Sequence, residues 1–430
     1  MSVVVHVATE LSGGAGGFVR HLHMAMLNLS MPSLVLAREP AVGLRDVVTI
    51  KPMGRIVGSL RARSLTLMGS FGIVDNSYAM FGMEKAPVTV HDIQHALGGR
   101  VPRAFFFYWL SYFVDFGTIA ALRKVYPSVP FALVCTDEAF LTGGCHYSHG
   151  CQGFEHSCGD CPALGLSSLR RRVAQDFAAR QAQVAAINPV VVYPTSNLMQ
   201  MGYRSAVLKQ ARSVLVPLGA ISDHELTTVS ERLRCARVGR LGQKATLLVR
   251  SSTEHRKGCD LLMTALATLH ERMPDLRERL RVISIGDNAL TLSGIDLHVD
   301  HEARGYVSRD GLMAAYVDAD ALLITSREDG GPLMTNECVA LGIFVISTPI
   351  GVAQDLIVDG YNGLITRDIS SAAIEDALLA FIGRHTDGVL IRPSVRGGSA
   401  GVNVQPPALT FEGYIQRVLL SLESPCPPIL

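Results

Sequence analysis

A chain of 430 residues exceeds what one hydrophobic core usually organises, so we expect two domains of about 200 residues each. Its 48% hydrophobic and 18% charged residues exclude a disordered or fibrous protein, and a net charge of +1 gives no overall attraction to nucleic acid. The first residues lack the features of a secretory signal. We therefore predict a cytoplasmic protein without a nucleic-acid partner, whose nine cysteines are thiols or metal ligands.

The N-terminal half alternates short apolar runs with turns and helical periodicity, which is typical of a doubly wound α/β domain. It begins with a strand at 3–8, a glycine loop at Gly13–Gly17 and a helix at 18–29. Further strands are predicted at 33–36, 88–90, 131–134, 190–193 and 213–216. We place one domain over residues 1–219, with a cysteine-rich insertion at 142–165.

The apolar segment 104–122 is almost long enough to span a bilayer. Asp115 near its middle would cost about 2.5–3.5 kcal/mol in a spanning helix, so we predict a helix that is either buried or faces a membrane surface. The aromatic residues 105–113, next to Arg100 and Arg103, would suit the headgroup boundary. Peripheral contact with the inner face of the membrane is therefore the alternative to a buried helix.

The C-terminal half repeats the α/β rhythm after a polar, arginine-rich stretch at 220–244, which we predict to be a linker. The second domain covers 245–410 and includes a loop at 392–407 whose Gly, Ser and Pro content predicts mobility. A closing helix and tail occupy 411–430. Within the second domain, strands are predicted at 245–249, 281–285, 321–325 and 344–347, and helices at 260–271, 311–317 and 335–341.

The most informative motif is Ser-Arg-Glu-Asp-Gly-Gly-Pro-Leu-Met-Thr-Asn-Glu at 326–337. It places Asp329 at the end of a strand and Glu337 on the first turn of the next helix, with a glycine loop between them. The amides of such a loop hold a diphosphate or sugar hydroxyls, and carboxylates accept hydrogen bonds from hydroxyl pairs. The structural alternative is a helix capped by Asp329 and a solvated Glu337.

This motif resembles that of family 4 glycosyltransferases, whose two acidic residues are separated by seven others, although Glu is commoner than Asp at the first position. The resemblance implies the GT-B fold, in which two Rossmann-like domains face each other across a cleft, and a retaining sugar transfer from a nucleotide diphosphate. It assigns Glu337 to the donor ribose and Asp329, with Glu328, to the transferred sugar. The other donor-binding residues of the loop would be Gly330, Gly331, Leu333 and Met334.

Arg256-Lys257-Gly258, followed by an apolar helix, is similar to the donor-phosphate motif of the same family. The resemblance makes Lys257 the catalytic group that neutralises the leaving diphosphate. Family members usually carry an Arg where this chain has Ser251, so Arg250 or Arg256 would substitute for it. The first glycine loop also resembles the family's, and its amides near Gly14 would approach donor phosphate or acceptor. A solvated basic turn and a tight strand-to-helix turn are the alternatives.

The segment 142–162 is the most distinctive part of the sequence, because four cysteines and three histidines are crowded into it. Four thiolates can close a tetrahedral zinc site, so we expect a structural zinc ion and no metal in the chemistry. Free thiols and disulfides remain alternatives. The expected ligands are Cys145, Cys151, Cys158 and Cys161, with His146, His149 and His156 as alternative ligands.

The same segment resembles a subgroup of bacterial family 4 enzymes that build colanic-acid-like exopolysaccharides and O-antigens. That subgroup carries His-Asp just upstream, where this chain has Thr136-Asp137. Asp137 is therefore one candidate for acceptor-side catalysis, and His91, in a His-Asp pair at a predicted strand end, is another. A structural histidine is the alternative for His91.

The resemblance as a whole implies a retaining glycosyltransferase with a UDP- or GDP-sugar donor and a glycan acceptor, free or lipid-linked. Two rivals stay open. One is a sugar-nucleotide epimerase of the same fold, which would turn over donor without an acceptor. The other is a binding or scaffold protein that has lost catalysis.

Overall fold

The computed structural model describes residues 2–41, 43–51, 67–80, 86–237, 243–386 and 409–423. The chain divides into two compact units. Unit 1 comprises Met1–Pro217 and Phe411–Leu430, and unit 2 comprises Leu218–Thr410. The loop predicted to be mobile, 392–407, lies outside the described residues.

Unit 1 is built on a seven-stranded sheet whose described strand pairs are all parallel. The strands are β1 (Ser2–Ala8), β2 (Ser33–Ala37), β3 (Val47–Thr49), β4 (Val101–Phe107), β5 (Phe131–Val134), β6 (Val190–Tyr193) and β7 (Arg212–Leu215). Their order is β3-β2-β1-β4-β5-β6-β7, so the direction of winding reverses between β1 and β4. The loops after these two strands diverge, which leaves a crevice at the carboxyl edge of the sheet.

Helices cover this sheet. Its strands are nearly continuous apolar runs, which is the pattern expected of a sheet that is buried on both faces. The C-terminal helix belongs to unit 1, because the ring of Tyr414 packs edge-on against Phe18 with 5.2 Å between ring centroids. The described helices of unit 1 are Gly13–Asn28, Val90–Leu97, Phe116–Val125, Ser167–Ile187, Ser196–Arg204 and Phe411–Glu423, with short 3-10 helices at Asn76–Tyr78 and Gly153–Glu155.

The predicted helix over 104–122 is wrong. Its first part is the central strand β4, and a helix begins only at Phe116, where the Asp115 carboxylate caps the amide of Thr118 at 2.7 Å. Phe105, Phe106 and Phe107 are 0%, 2% and 0% exposed, so these rings form core and not a membrane-facing surface. In the described part of the chain, every helix is too short or too polar to cross a membrane.

The predicted strand at 88–90 is also wrong. Thr89 caps the helix Val90–Leu97 and forms a capping box with Asp92, and Gly98 ends the helix in the left-handed conformation. His91 therefore lies in the first turn of this helix with an exposed side chain, and not at the end of a strand.

Unit 2 contains a six-stranded sheet, again with parallel pairs throughout its described part. The order is β10-β9-β8-β11-β12-β13, so the winding reverses between β8 and β11. The strands are β8 (Ala245–Ser251), β9 (Leu280–Gly286), β10 (Asp300–Ala303), β11 (Ala321–Ile324), β12 (Phe344–Ser347) and β13 (Gly363–Ile365). The described helices are Asp223–Arg237, Cys259–Arg272, Leu276–Arg279, Ala289–Leu292, Arg309–Asp318, Leu333–Ala340, Ala353–Leu356 and Ser371–Thr386, with a 3-10 helix at His255–Lys257.

Most of the stretch predicted as a linker is helical. Helix Asp223–Arg237 buries Val229 and Leu233 in the core cluster of unit 2, together with Met313 and Tyr316. Residues 238–242 of that stretch lie outside the described residues. The prediction failed to find this helix because its hydrophobic face is narrow and its remaining positions are polar.

Candidate functional site

Two loops meet at the carboxyl edge of the unit 2 sheet, where the strand order reverses. One follows β8 and the other follows β11. The Thr325 hydroxyl donates to the carbonyl of Lys257 at 2.8 Å, and the Arg327 amide donates to the carbonyl of Arg256 at 2.6 Å. The Arg327 guanidinium also binds the Asp260 carboxylate through two nitrogens. These bonds fix the two loops against each other at the point where parallel sheets usually bind ligands.

Glycines allow this close approach. Gly258 has φ +68°, and a Cβ there would lie 2.0 Å from the carbonyl oxygen of Thr325. Gly351, after β12, has φ +53°, and a Cβ there would lie 2.9 Å from the carbonyl oxygen of Asp329. Both positions thus require glycine for conformation and for space.

A compact charge cluster lies between the two loops. The Lys257 ammonium donates to the Asp329 carboxylate, and the Arg256 guanidinium lies 3.6 Å from the same carboxylate. The Gly331 amide donates to it at 3.1 Å. Burial by itself would raise the pKa of Asp329, but Lys257, Arg256 and the Gly331 amide together outweigh burial and hold that pKa below its usual value. Asp329 is therefore an ionised carboxylate that two cations surround.

Glu337 lies in a second cluster, on the second turn of helix Leu333–Ala340 and not on the first turn as predicted. Its carboxylate is 3% exposed and accepts hydrogen bonds from Arg309 and from the Tyr316 hydroxyl. Burial raises the pKa of Glu337 despite the neighbouring guanidinium. Arg309 also donates to Glu225 at 2.8 Å and to the carbonyl of Ala220 at 2.9 Å.

Arg309 is a site residue that sequence reasoning missed. It lies 28 positions before Glu337, at the start of the helix Arg309–Asp318 that precedes β11 in the sequence. No spacing rule connects two such positions, and the link exists only once the sheet has assembled. The sole available signal was an arginine beside a Ser308 helix cap.

The remaining predicted donor residues take different places. Arg250 lies on β8 with an exposed side chain, so the structure does not bring it into the Asp329 cluster. Glu328 is half-buried beside Asp329. Of the other predicted loop residues, Gly330 and Gly331 precede the helix that holds Glu337, and Leu333 and Met334 are its first two residues.

In unit 1, the predicted glycine loop is already helical, since helix Gly13–Asn28 begins at its first glycine. A Cβ at Gly14 would meet nothing within 4 Å, whereas a Cβ at Gly16 would lie 2.6 Å from the carbonyl oxygen of Glu10. Gly16 is therefore required by packing, and Gly14 faces open space at the carboxyl end of β1.

Asp137 follows β5 and has a histidine partner, although the residue before it is Thr136. The Nδ1 atom of His146 lies 2.6 Å from its Oδ2 atom, and the Ala139 amide donates to Oδ1 at 2.9 Å. His146 comes from the cysteine-rich insertion and is 5% exposed. His91 is not part of this group, since it lies on an exposed helix turn.

The four cysteines of the insertion line one cavity, together with Tyr78, Phe154 and Val173. All four are free thiols. Burial raises the pKa of Cys158 to about 12 and also raises those of Cys145 and Cys161. Among the described residues, no group of three or more Cys, His, Asp or Glu side chains is arranged to hold a metal ion. Cys151, the fourth cysteine, accepts a hydrogen bond from the Gly153 amide.

Solved structures with the same fold identify its class. The chain is similar to a glycosyltransferase from Rickettsia africae (TM-score 0.61, 12% identity, covering 98% of this chain and 97% of that one). It is also similar to an α,α-trehalose-phosphate synthase from Burkholderia xenovorans in complex with glucose-6-phosphate (0.60, 12%, 99% and 100%). A third structure is Anabaena HepE in complex with UDP-glucose (0.58, 12%, 98% and 99%). The two α/β units therefore have the GT-B fold.

A family model gives the more particular result. Residues 244–384 match the family described as Glycosyl transferases group 1. The match includes both loops and the clusters around Asp329 and Glu337. A search of curated proteins gave no match. Together, the domain match and the fold support a glycosyltransferase.

Proposed function

We propose that this protein is a retaining glycosyltransferase of family 4, which moves a sugar from a nucleotide diphosphate to a glycan acceptor. The observation that carries the proposal is the charge cluster of Lys257, Arg256 and Asp329, followed eight positions after Asp329 by the buried Glu337 on the next helix. This arrangement lies within the matched domain, at the edge of the sheet where the strand order reverses.

The two cations are the groups that would bind the donor diphosphate. Lys257 and Arg256 face the single carboxylate of Asp329, and Arg256 also pairs with Glu254 at 2.7 Å. A diphosphate carries more charge than Asp329 and would attract the Lys257 ammonium away from it. The released carboxylate could then accept hydrogen bonds from hydroxyl groups of the transferred sugar.

The ribose would bind at Glu337. Arg309 occupies its Oε1 atom and Tyr316 its Oε2 atom, but an ionised carboxylate has about four acceptor positions. Each oxygen can therefore accept one further hydrogen bond, as a vicinal diol requires. Arg309 also offsets the cost of keeping this carboxylate charged in a buried place.

During transfer, the bond between the anomeric carbon and the diphosphate would break while the acceptor hydroxyl oxygen bonds to that carbon, and the proton of that hydroxyl would pass to the departing phosphate oxygen. Lys257 and the amides of the glycine loop would stabilise the negative charge that grows on the diphosphate. The donor would be a UDP- or GDP-sugar, and the UDP-glucose complex of Anabaena HepE is consistent with UDP. The cysteine-rich insertion, by its resemblance, supports a role in exopolysaccharide or O-antigen synthesis, with a free or lipid-linked acceptor.

Product analysis tests this proposal. Purified protein would be incubated with a panel of UDP- and GDP-sugars and glycoside acceptors, and the products followed by mass spectrometry and proton NMR. The expected product has one added sugar with the anomeric configuration of the donor. An inverted product would contradict retention, donor turnover without acceptor would indicate an epimerase, and binding without turnover would indicate a scaffold protein.

A further inference from the structure

Three polar side chains outside the proposed donor site are linked one to the next by hydrogen bonds at the carboxyl edge of the unit 1 sheet. The Asp137 carboxylate binds Nδ1 of His146 at 2.6 Å, and Nε2 of His146 lies 3.0 Å from the Ser111 hydroxyl. The indole of Trp109 donates to the same hydroxyl at 3.0 Å. Ser111 follows β4 and Asp137 follows β5, so two neighbouring strands supply the chain.

The backbone around Ser111 is firmly held. The Thr9 hydroxyl, just after β1, contacts the carbonyl oxygen of Trp109 at 3.0 Å and that of Ser111 at 3.2 Å. Tyr112 has φ +60°, a left-handed conformation that costs a bulky residue about 1–2 kcal/mol. Strain of this kind persists where the surroundings impose it, and it is concentrated at functional sites.

The Ser111 hydroxyl has one hydrogen-bonding position left. A hydroxyl offers one donor and two acceptor positions, and Trp109 and His146 use two of the three. Ser111 is half-buried, so the third position is accessible. Whichever proton position His146 adopts, a hydroxyl of a ligand can complete the set, because it can both donate and accept.

We propose that Ser111 is the residue that binds a hydroxyl group of the acceptor sugar, and that His146 and Asp137 position it. The inference rests on the proposed function, since it assigns the acceptor side of the same transfer. The reversal of strand order between β1 and β4 supplies the location, because ligands of parallel sheets bind at the carboxyl ends of the strands at such a point. A nucleophilic serine would use the same three residue types, but the Trp109 N–H withdraws electron density from this oxygen.

Trp109 makes the proposal testable without turnover, because it is the only tryptophan in the sequence. Methyl glycosides would be titrated into the full-length protein while the fluorescence of Trp109 is recorded. Wild type should give a saturable change with the glycoside that matches the acceptor. Ser111→Ala should bind that glycoside about 2- to 12-fold more weakly, since one neutral hydrogen bond contributes about 0.5–1.5 kcal/mol. Ser168→Ala, on an exposed part of helix Ser167–Ile187, is the matched control and should bind like wild type.

A comparison with deoxy glycosides separates binding from a merely structural role. Removing the one hydroxyl that Ser111 contacts should weaken wild-type binding by the same factor and should weaken Ser111→Ala binding no further. His146→Gln should lower the affinity for the intact glycoside more than for that deoxy analogue. Equal losses for every deoxy glycoside in Ser111→Ala, or no fluorescence change in a protein that transfers sugar, would overturn the proposal.

Two further experiments distinguish failure of the proposed function from failure of the Ser111 assignment. Calorimetry with UDP-glucose and GDP-mannose reports unit 2 separately, so a protein that binds glycosides but no nucleotide sugar would refute the proposed function and leave a sugar-binding Ser111 standing. Covalent labelling of Ser111 by a fluorophosphonate would show a nucleophile, and would overturn the acceptor assignment in favour of hydrolysis.

Discussion

Lys257 and Asp329 neutralise each other in a place that is mostly closed to water, with 13% and 11% of their side chains exposed. A pair of this kind contributes modestly to stability, because desolvation offsets most of the attraction. The pair is better suited to an exchange of partners, in which a ligand with more negative charge than Asp329 binds the Lys257 ammonium in its place. Substitution of single residues in this pair therefore tests the proposed donor chemistry.

Lys257→Ala should reduce the turnover number about 100- to 1,000-fold, because loss of one preorganised donor costs about 2.7–4 kcal/mol in the transition state. Steady-state kinetics with the identified donor and acceptor would measure it. Lys244→Ala, which removes an exposed lysine paired with Asp300, is the control and should leave turnover unchanged. Retention of more than a tenth of wild-type turnover by Lys257→Ala would move the role to Arg256.

Glu225 offers a prediction about stability against pH. Burial would raise the pKa of Glu225, but the Arg309 guanidinium and the Ser222 amide outweigh burial and lower that pKa from 4.5 to about 2. A carboxylate with a lowered folded-state pKa stabilises the fold above its unfolded pKa, and that stability is lost as pH falls through the folded value. Glu225→Gln should therefore cost about 1.5–3 kcal/mol at pH 7, and the deficit should shrink between pH 4.5 and about 2.

Urea unfolding at several pH values would measure this difference in free energy of unfolding. Glu231→Gln on the same helix is the matched control, because Glu231 is 64% exposed and its contact with Arg234 is 4.0 Å long. A deficit of Glu225→Gln that stayed constant down to pH 2 would contradict the assigned interaction.

At the scale of the element, the buried strands were predictable and the marginal ones were not. The predicted strands at 131–134, 190–193 and 344–347 are confirmed with the same bounds, since each is an apolar run buried on both faces. The edge strands β3 and β10 are short and only partly buried, so they leave little apolar signal. The helix predicted over 104–122 was wrong because this one apolar run contains a strand, a turn and the start of a helix.

Some residues of the candidate site were likewise predictable from the sequence, and others were not. The Lys257 and Asp329 loops could be predicted because each follows a buried strand, and parallel strands bring their carboxyl ends to one edge. The partners Arg309 and His146 could not, because each reaches its carboxylate only through tertiary packing.

Gly258→Ala should disturb the loop that carries Lys257. The added Cβ would meet the Thr325 carbonyl oxygen and would occupy a left-handed conformation, so we expect a lower free energy of unfolding and weaker donor binding. Gly383→Ala, in helix Ser371–Thr386 with nothing within 4 Å of the new Cβ, should instead stabilise by about 0.5–1 kcal/mol. Equal stability of the two variants in urea unfolding would contradict the requirement for glycine.

The zinc ion stays a prediction of the sequence. Four thiols that line one cavity have the right chemistry for zinc, and their raised pKa values mean that binding would release protons. Metal analysis of protein purified without added zinc should give about one equivalent, which Cys158→Ser/Cys161→Ser should lose and Cys235→Ser, at an exposed cysteine, should keep. Metal-free, fully active protein with titratable thiols would refute it.

At the scale of the whole molecule, unit 2 is a continuous stretch whose two ends pair with each other. The Ala220 amide donates to the carbonyl of Leu409 at 2.8 Å, and Ile221 bridges to Thr410. Asn336 donates to the carbonyl of Leu218 and Arg309 to that of Ala220, and Arg309 also binds Glu337, so the start of the unit and Glu337 are joined by hydrogen bonds.

We therefore expect residues 218–410 to fold alone and to retain nucleotide-sugar binding. Residues 1–217 alone should be less stable, because they lack the helix Phe411–Glu423 that covers Phe18. Circular dichroism and thermal melting of the two fragments would measure this. An unfolded 218–410 fragment beside a stable 1–217 fragment would contradict the division of the chain.

The most direct test of the donor site is a calorimetric titration of the intact protein with UDP-glucose and GDP-mannose, repeated with Asp329→Ala/Glu337→Ala. Asp329 lies at the start of the glycine loop and Glu337 on the second turn of the helix that follows it, where Lys257 and Arg309 bind the two carboxylates. We predict that wild type binds one of the two ligands saturably and that the folded double variant binds that ligand at least tenfold more weakly. Equal affinity of the two proteins, or no binding of either ligand by wild type, would contradict it.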